Sequence, residues 1–145
     1  YNASGTPLVL VRSYTWGLDL AGSLTATGGV GALVQIHDYE EGGTGGTTLL
    51  PAYDGNGNVV TLMDVATGNI RATYEYSPFG ELTRCDGDYA KKNPFRFSTK
   101  YHDQETGLIY YGLRYYSPSL GRFINQDPIS ERGGLNLYAF AGNNG

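Results

Sequence analysis

Two residues in the last third of the chain could take part in cutting a peptide bond: Arg114, and Asp127, which stands directly before Pro128. In an aspartic mechanism two carboxyl groups held close together share one proton, and one of them activates water for attack on a peptide carbonyl. Arg114 could orient Asp127 or stabilise the oxyanion that forms. The pair would therefore supply a cation and one carboxylate of such a site.

The mechanism also requires a second carboxylate, and the sequence contains no second Asp-Pro dipeptide that would supply it. The acidic residues nearest to Asp127 are Asp103, Glu105 and Glu131, and none of them precedes a proline. We therefore expect this chain to be inactive as a peptidase by itself. The structural alternatives are that Arg114 forms a salt bridge or stacks on neighbouring tyrosines, and that Asp127 initiates a turn.

Two glycine-containing segments resemble ligand loops but fit ordinary turns better. The segment Asp54–Asn58 begins like a calcium-binding loop, yet Val59 stands where glycine is needed and Val65 where the bidentate glutamate belongs. A hairpin turn explains this segment. The segment Gly28–Gly31 lacks the spacing of a dinucleotide-binding loop and is not followed by Lys-Ser/Thr.

His37 and His102 are far apart in sequence and have no histidine or cysteine partner at metal-ligand spacing, so no zinc site is predicted. Cys85 is the single cysteine, which rules out a disulfide within the chain and favours a partly buried, unreactive thiol. We expect neither a metal nor a cofactor.

The composition predicts a β-rich protein. Glycine (22 residues) and tyrosine (13 residues) exceed ordinary usage, which favours short strands joined by tight turns.

The net charge of −4 comes from dispersed carboxylates, so no nucleic-acid partner is expected. No apolar run approaches the roughly 18 residues of a membrane helix, and residues 1–20 lack the pattern of a signal peptide.

The length of 145 residues suits one domain. Because the chain starts at Tyr1 and its only methionine is Met63, we expect it to be a piece of a longer polypeptide.

The pattern predicts an all-β fold of curled antiparallel hairpins with little helix. Pro118 and Gly121 indicate one short helical turn within Ser117–Phe123, and the glycine-rich segment Glu41–Gly46 is expected to close a loose hairpin. The predicted strands are Leu8–Arg12, Tyr14–Leu20, Ala32–Ile36, Leu49–Tyr53, Asn58–Met63, Ile70–Tyr76, Pro94–Tyr101, Leu108–Tyr116 and Leu135–Phe140.

A weak internal repeat places an aromatic residue before a small polar or acidic residue, then a glycine, then an apolar residue. Its copies begin at Tyr53, Tyr76, Tyr101 and Tyr116. We expect each tyrosine to present an apolar plate to a neighbouring hairpin while its hydroxyl reaches water or a polar partner.

These features resemble the Rhs family of YD-repeat proteins, and specifically its Rhs repeat-associated core domain. The weaker part of the resemblance covers Ser13–Ser23, Gly28–Gly31 and Tyr53–Leu82. The specific part runs from Asn93 to Asn144. It contains Asn-Pro-Phe-Arg-Phe, Arg-Tyr-Tyr-Ser-Pro, Gly-Arg-Phe, Asp-Pro-Ile and Gly-Gly-Leu-Asn-Leu-Tyr-Ala-Phe-Ala-Gly-Asn-Asn.

The resemblance implies a large curled β-shell, built from YD repeats, that encloses a toxic C-terminal polypeptide and is closed by the core domain. It divides residues 1–145 into YD-type hairpins (1–90) and the core signature region (91–145). The implied partners are the rest of the shell, the toxin cargo of the same polypeptide and delivery-system proteins. The implied location is secreted or delivered from bacteria, and cytoplasmic before export.

In this family the core domain also behaves as an aspartic autoprotease that releases the cargo. By motif, its catalytic arginine matches Arg114 and its first catalytic aspartate matches Asp127. The second aspartate belongs to another Asp-Pro motif beyond an Asn-Asn-Pro continuation, whereas here Asn144 is followed by Gly145. A further hypothesis is a tyrosine-rich surface that binds glycans, although cross-strand packing explains the tyrosines better.

Overall fold

The described part of the chain consists of β-strands, two short 3-10 turns and connecting loops. The structure is a computed structural model that describes residues 10–39, 45–128 and 136–140. These residues form two antiparallel sheets and contain no α-helix. The predicted antiparallel all-β fold is therefore confirmed.

The first sheet has six strands, and each strand pairs with the next one along the chain. Its strands are β1 (Arg12–Trp16), β2 (Leu33–Asp38), β3 (Thr47–Tyr53), β4 (Val59–Asp64), β5 (Ile70–Tyr76) and β6 (Leu82–Asp86). Successive hairpins produce this order because short turns can join only neighbouring antiparallel strands.

The second sheet has four very short strands in the order β10-β9-β8-β7. Its strands are β7 (Tyr101–His102), β8 (Ile109–Tyr110), β9 (Tyr115–Ser117) and β10 (Arg122–Phe123). A 3-10 turn at Phe97–Thr99 precedes this sheet, and a second 3-10 turn at Pro118–Leu120 joins β9 to β10.

The first core lies on one face of the six-stranded sheet. In this sheet Leu62 pairs directly with both Pro51 and Ala72, so the three side chains lie side by side on that face. The segment after β6 covers the face with Tyr89 and Ala90. The buried members of this core are Leu33, Ile36, Leu49, Val59, Leu62, Ala72, Tyr74, Tyr89 and Ala90.

The second core is mainly aromatic and joins the two sheets. Its buried members are Phe97, Ile109, Tyr116 and Phe123. The ring of Phe97 lies 5.8 Å from that of Tyr76 in the first sheet and 6.3 Å from that of Tyr116 in the second. Aromatic pairs at these spacings add to the stabilisation that burial already gives.

Three of the four repeat tyrosines donate their hydroxyl to a backbone carbonyl of another strand or turn. Tyr53 donates to Leu33. Tyr76 donates to the carbonyl of Val59 at 2.7 Å, and Tyr116 donates to that of Phe79 at 2.8 Å. The fourth, Tyr101, is 48% exposed. For Tyr53, Tyr76 and Tyr116 the expected polar partner of the hydroxyl is thus confirmed.

The predicted strand Pro94–Tyr101 is wrong. Only an isolated bridge joins Phe95 to Tyr101, and the chain between them turns sharply. Ser98 and Thr99 adopt φ values of +50° and +54°, a region that non-glycine residues rarely occupy. The extended conformation is lost because tertiary hydrogen bonds hold both residues in the left-handed region.

Those hydrogen bonds form what we call the polar staple. The backbone N–H of Ser98 donates to Oδ1 of Asn58 at 2.7 Å. The hydroxyl of Thr99 donates to the carbonyl of Gly57 at 2.7 Å and accepts from the N–H of Gly31 at 2.8 Å. The staple thus ties the segment before the second sheet to two loops of the first sheet.

The predicted strand Leu108–Tyr116 is two strands joined by a tight turn. Gly112 has a φ of +89°, which a glycine adopts without steric penalty. The N–H of Tyr111 donates to the carbonyl of Arg114 at 2.9 Å and closes the turn. This reversal places Arg114 immediately before β9.

Other strand predictions differ from the structure at their ends. The strand expected over Tyr14–Leu20 ends at Trp16, because Asp19 accepts hydrogen bonds from the N–H groups of Ser23 and Thr27 and folds the chain into a loop. The strand expected over Leu8–Arg12 lies partly outside the described residues, and Arg12 begins β1.

The strand expected over Leu135–Phe140 is also wrong for the residues that are described. Leu135 lies outside them, and residues 136–140 contribute only an isolated bridge from Ala139 to Arg122. Strand β6 was not predicted, since Thr83, Arg84 and Asp86 are polar, exposed residues at a sheet edge.

The predicted helical turn is confirmed at Pro118–Leu120. Gly121 ends it with a φ of +62° and donates its N–H to the carbonyl of Pro118 at 3.1 Å. The following residues Arg122–Phe123 form β10 instead of continuing the turn. The predicted hairpin closure at Glu41–Gly46 lies mostly outside the described residues, but the strands on either side pair antiparallel.

Within the described residues, no helix has the length and apolar character needed to cross a membrane.

Replacing Tyr116 by phenylalanine tests the link between the sheets. The Tyr116→Phe variant keeps the buried ring but leaves the carbonyl of Phe79 without its donor. We expect a loss of about 1 kcal/mol in the free energy of unfolding. The neighbouring Tyr115, which is 44% exposed, provides the matched control Tyr115→Phe. Equal urea-unfolding curves for the two variants would contradict this role.

Candidate functional site

Arg114 lies at the end of the turn between β8 and β9. The turn is held by the Tyr111–Arg114 backbone hydrogen bond, and the next residue, Tyr115, pairs with Tyr110 across the hairpin. Arg114 is therefore fixed at a strand end, with its side chain 23% exposed.

Asp127 lies four residues after the end of β10. The chain between them follows β9, since the N–H of Ile124 donates to the carbonyl of Tyr115 at 2.9 Å. Oδ1 of Asn125 in turn accepts from the N–H of Tyr115 at 3.1 Å. The N–H of Asp127 donates to the carbonyl of Leu137 at 3.0 Å, so the later segment fixes it as well.

The structure brings Arg114 and Asp127 into direct contact. Nη1 of Arg114 lies 2.8 Å from Oδ2 of Asp127, and both side chains are mostly shielded from solvent, at 23% and 18% exposure. The guanidinium carbon also lies 3.7 Å from the ring centroid of Phe123. The expected aromatic stacking of Arg114 is thus on phenylalanine and not on tyrosine.

This arrangement provides an oriented carboxylate beside a fixed cation. Because one guanidinium nitrogen contacts one carboxylate oxygen, the orientation of Asp127 is restricted. The same contact is an ordinary structural ion pair when no second carboxyl group is present. Proton sharing, which activates water in an aspartic mechanism, requires that second group.

The acidic residues considered from sequence have other positions. Asp103 lies in the β7–β8 turn, where it accepts from the hydroxyl of Thr106 at 2.7 Å and from the N–H of Glu105 at 3.0 Å. These hydrogen bonds, that of the Thr106 hydroxyl foremost, lower the pKa of Asp103. Glu131 lies outside the described residues.

The segment Asp54–Asn58 is a hairpin turn between β3 and β4, as predicted. Oδ1 of Asp54 accepts from the N–H groups of Asn56 and Asn58, each at 2.9 Å. The carboxylate is therefore used to hold the turn. Within the described residues, no three His, Cys, Asp or Glu side chains are grouped as a metal site would require.

The two histidines lie in different sheets. His37 in β2 contacts the hydroxyl of Thr48 through Nδ1 at 2.8 Å. His102 in β7 is half-buried, and burial, followed by the nearby charge of Arg96, lowers its pKa. Cys85 is partly buried, as expected.

Sequence reasoning missed Arg96, which is only 4% exposed. Its guanidinium donates to backbone carbonyls and lies 5.6 Å from the ring centroid of Tyr74. The signal was a single arginine within the otherwise apolar run Pro94–Phe97. An arginine inside an apolar run indicates a buried cation. The sequence does not indicate which groups surround that cation in the folded protein.

No family model matches the chain. Among curated proteins, it is 54% identical over 79 residues to the double-stranded DNA deaminase toxin A of Burkholderia cenocepacia strain H111, covering 52% of this chain and 6% of the toxin. It is 35% identical over 97 residues to the tRNA nuclease WapA of Bacillus subtilis strain 168, covering 63% of this chain and 4% of the nuclease. The chain spans about a third or less of the curated relatives that it matches.

Among solved structures, the chain resembles the crystal structure of TcdB2-TccC3 without its hypervariable C-terminal region. The TM-score is 0.66 and the sequence identity 31%, and the match covers 76% of this chain and 5% of the solved chain. The chain is thus similar to short regions of much larger proteins, one of which is named a toxin.

Replacing Arg114 by lysine tests its local role. Lysine keeps the charge but loses the planar group that lies on Phe123, so we expect the free energy of unfolding to fall by about 1 kcal/mol. The control is Arg84→Lys, because Arg84 pairs with Glu75 and Asp86 at an exposed site where a change under about 0.5 kcal/mol is expected. Urea unfolding measures both variants, and an unchanged Arg114→Lys protein would refute the stacking argument.

Proposed function

We propose that the chain is a structural, shell-closing segment of an Rhs (YD-repeat) polymorphic toxin that encloses a C-terminal toxin cargo. The main support is that two proteins similar to this chain are named for different reactions, one as a DNA deaminase and one as a tRNA nuclease. Each shares only a short region with this chain. A region common to both is better suited to a shared carrier than to either reaction.

The similarity to TcdB2-TccC3 supports the same conclusion. That solved structure lacks the hypervariable C-terminal region, and the match still covers 76% of this chain. The similarity therefore lies outside the hypervariable C-terminal region of that protein. Enclosure of a cargo is the role that best fits an all-β segment within such a protein.

The arrangement of the strands supports assembly with further hairpins. Within the described residues β1 pairs only with β2, so one edge of the first sheet has backbone groups free to pair with another strand.

The proposed partners are the remaining shell, the cargo and delivery proteins, and the proposed location is secreted or delivered from bacteria. The proposed division is into hairpins at 1–90 and a core region at 91–145.

Protease protection in the complete polypeptide tests the shell proposal. We expect any segment that follows residue 145 to resist limited proteolysis until the shell is weakened. Ile109 is fully buried in the second core, so Ile109→Ala should cost about 2 to 5 kcal/mol and expose that segment to cleavage. The control is Leu113→Ala, since Leu113 is 81% exposed. The proposal would be refuted if that segment were digested as fast in the unmodified protein as in the Ile109→Ala variant. It would also be refuted if the complete polypeptide had no such segment.

A second candidate function is aspartic self-cleavage that releases the cargo. The contact of 2.8 Å between Arg114 and Asp127 favours it, because it holds a carboxylate against a cation at a mostly shielded position. In this proposal Asp127 is one carboxylate of the dyad and Arg114 orients it. The other carboxylate would come from elsewhere in the complete polypeptide.

Asp127→Asn in the complete polypeptide tests self-cleavage. Asparagine keeps the shape but cannot share the proton, so we expect release of the C-terminal fragment to fall by at least about a hundredfold. The control is Asp86→Asn, which makes the same change in an exposed pair with Arg84. Gel electrophoresis and mass spectrometry would follow the fragment. Release at an unchanged rate from the Asp127→Asn protein would exclude this function.

The glycan-binding hypothesis stays a prediction, and one surface feature is relevant to it. Tyr101, Tyr110 and Tyr115 pair in register across β7, β8 and β9, and each is nearly half exposed. The rings of Tyr110 and Tyr115 lie 5.2 Å apart. A row of this kind offers flat apolar area at the surface.

A further inference from the structure

A solvent-accessible cavity of about 650 Å³ lies between the β5–β6 hairpin, the segment carrying Arg96 and the second sheet. It is separate from the Arg114–Asp127 pair, since neither residue lines it. Basic and hydroxyl side chains are prominent in its lining. The lining residues used below are Lys91, Arg96, His102, Ser117, Ser119 and Glu81.

Arg96 is the unusual member of this lining. It is 96% buried, since 4% of its surface is exposed, and among the described residues it has no carboxylate within ion-pair distance. A buried cation is costly unless other groups compensate its charge. Backbone carbonyls and the ring of Tyr74 compensate it in part.

Backbone carbonyls use part of the hydrogen-bonding capacity of Arg96. Nε donates to the carbonyl of Asn93 at 2.9 Å, and Nη2 donates to the carbonyls of Ala90 at 3.1 Å and Lys91 at 3.4 Å. No hydrogen bond from Nη1 to a backbone carbonyl is present among the described residues, and the side chain of Tyr74 is a further hydrogen-bonding partner of Arg96. A guanidinium has five N–H donors, and Arg96 gives three hydrogen bonds to backbone carbonyls while it also lines the cavity.

The other charged and polar groups favour a negative ligand. Lys91 carries a second positive charge and forms no ion pair among the described residues. The hydroxyls of Ser117 and Ser119 lie 3.1 Å apart, so they share one hydrogen and leave another for a ligand. Glu81 is the opposing charge in the lining. With His102 neutral, the lining has two positive charges and one negative charge.

We propose that this cavity binds a small oxyanion, a carboxylate or phosphate group, through the guanidinium of Arg96, with Lys91 supplying the second positive charge. Guanidinium donors suit the oxygens of both groups. This site goes beyond the proposed shell function and does not depend on it. A peptide carboxylate and free inorganic phosphate are the two sources that the test separates.

The test uses nuclear magnetic resonance of the 145-residue chain, which contains only two histidines. Sodium acetate and inorganic phosphate are added in separate titrations at constant ionic strength, with sodium chloride as the reference salt. We expect saturable shifts of the His102 ring signals and a rise in the His102 pKa, because a bound anion favours the protonated ring. The His37 signals should stay unchanged.

Variants distinguish anion binding in this cavity from general attraction of anions to the protein's positive charges. Arg96→Gln should weaken anion binding at least about tenfold, and Lys91→Gln should weaken it roughly two- to fivefold. The matched control is Lys92→Gln, because Lys92 is the adjacent cation but does not line the cavity. Glu81→Gln should strengthen binding, since it removes a like charge. If Arg96→Gln fails to fold, the Lys91, Lys92 and Glu81 variants still decide the question.

Saturation by acetate would support a carboxylate ligand, and saturation by phosphate alone would support a phosphate ligand. No saturable shift with either anion, or the same shift with chloride, would overturn the proposal. Equal weakening by Lys91→Gln and Lys92→Gln would also overturn it, because the effect would then reflect net charge alone.

Discussion

The polar staple is the interaction on which the relation between the two sheets depends. Ser98 and Thr99 hold left-handed backbone conformations, which cost about 1 to 3 kcal/mol each. Their hydrogen bonds to Asn58, Gly57 and Gly31 offset this cost, because each buried polar group left without a partner would itself cost about 1 to 3 kcal/mol. The strained turn is therefore stable only when the loops of the first sheet are already in place.

The second sheet depends on the first through this turn. Its strands have two or three residues each, too few to be stable without packing on other elements. The turn places Phe97 between Tyr76 and Tyr116, which joins the aromatic core to the first sheet. Because β8, β9 and β10 pack on that core, the positions of Arg114 and Asp127 also depend on it. The candidate site is a product of tertiary packing.

Local chemistry explains which features could be predicted from sequence. Pro118 and Gly121 predicted the 3-10 turn correctly, since each residue restricts or permits its own backbone angles. The repeat tyrosines likewise carry their apolar ring and polar hydroxyl wherever they lie. Ser98 and Thr99 gave no such signal, because their φ values are set by groups about 40 or more residues away in sequence. Arg114 and Asp127 were named from a motif, whereas their contact and the stacking on Phe123 require the folded hairpin.

A carrier segment and a cutting site place compatible demands on this fold. A segment that serves toxins of different chemistry must act on features that every cargo shares, and the peptide backbone is such a feature. Arg114 and Asp127 would act on a peptide carbonyl, and their positions are set by the hairpin of β8 and β9 and by the chain after β10. These positioning contacts are all made by residues of the chain itself. In the proposed function the same aromatic core can therefore stabilise the shell and hold Arg114 and Asp127 in position, whichever toxin follows.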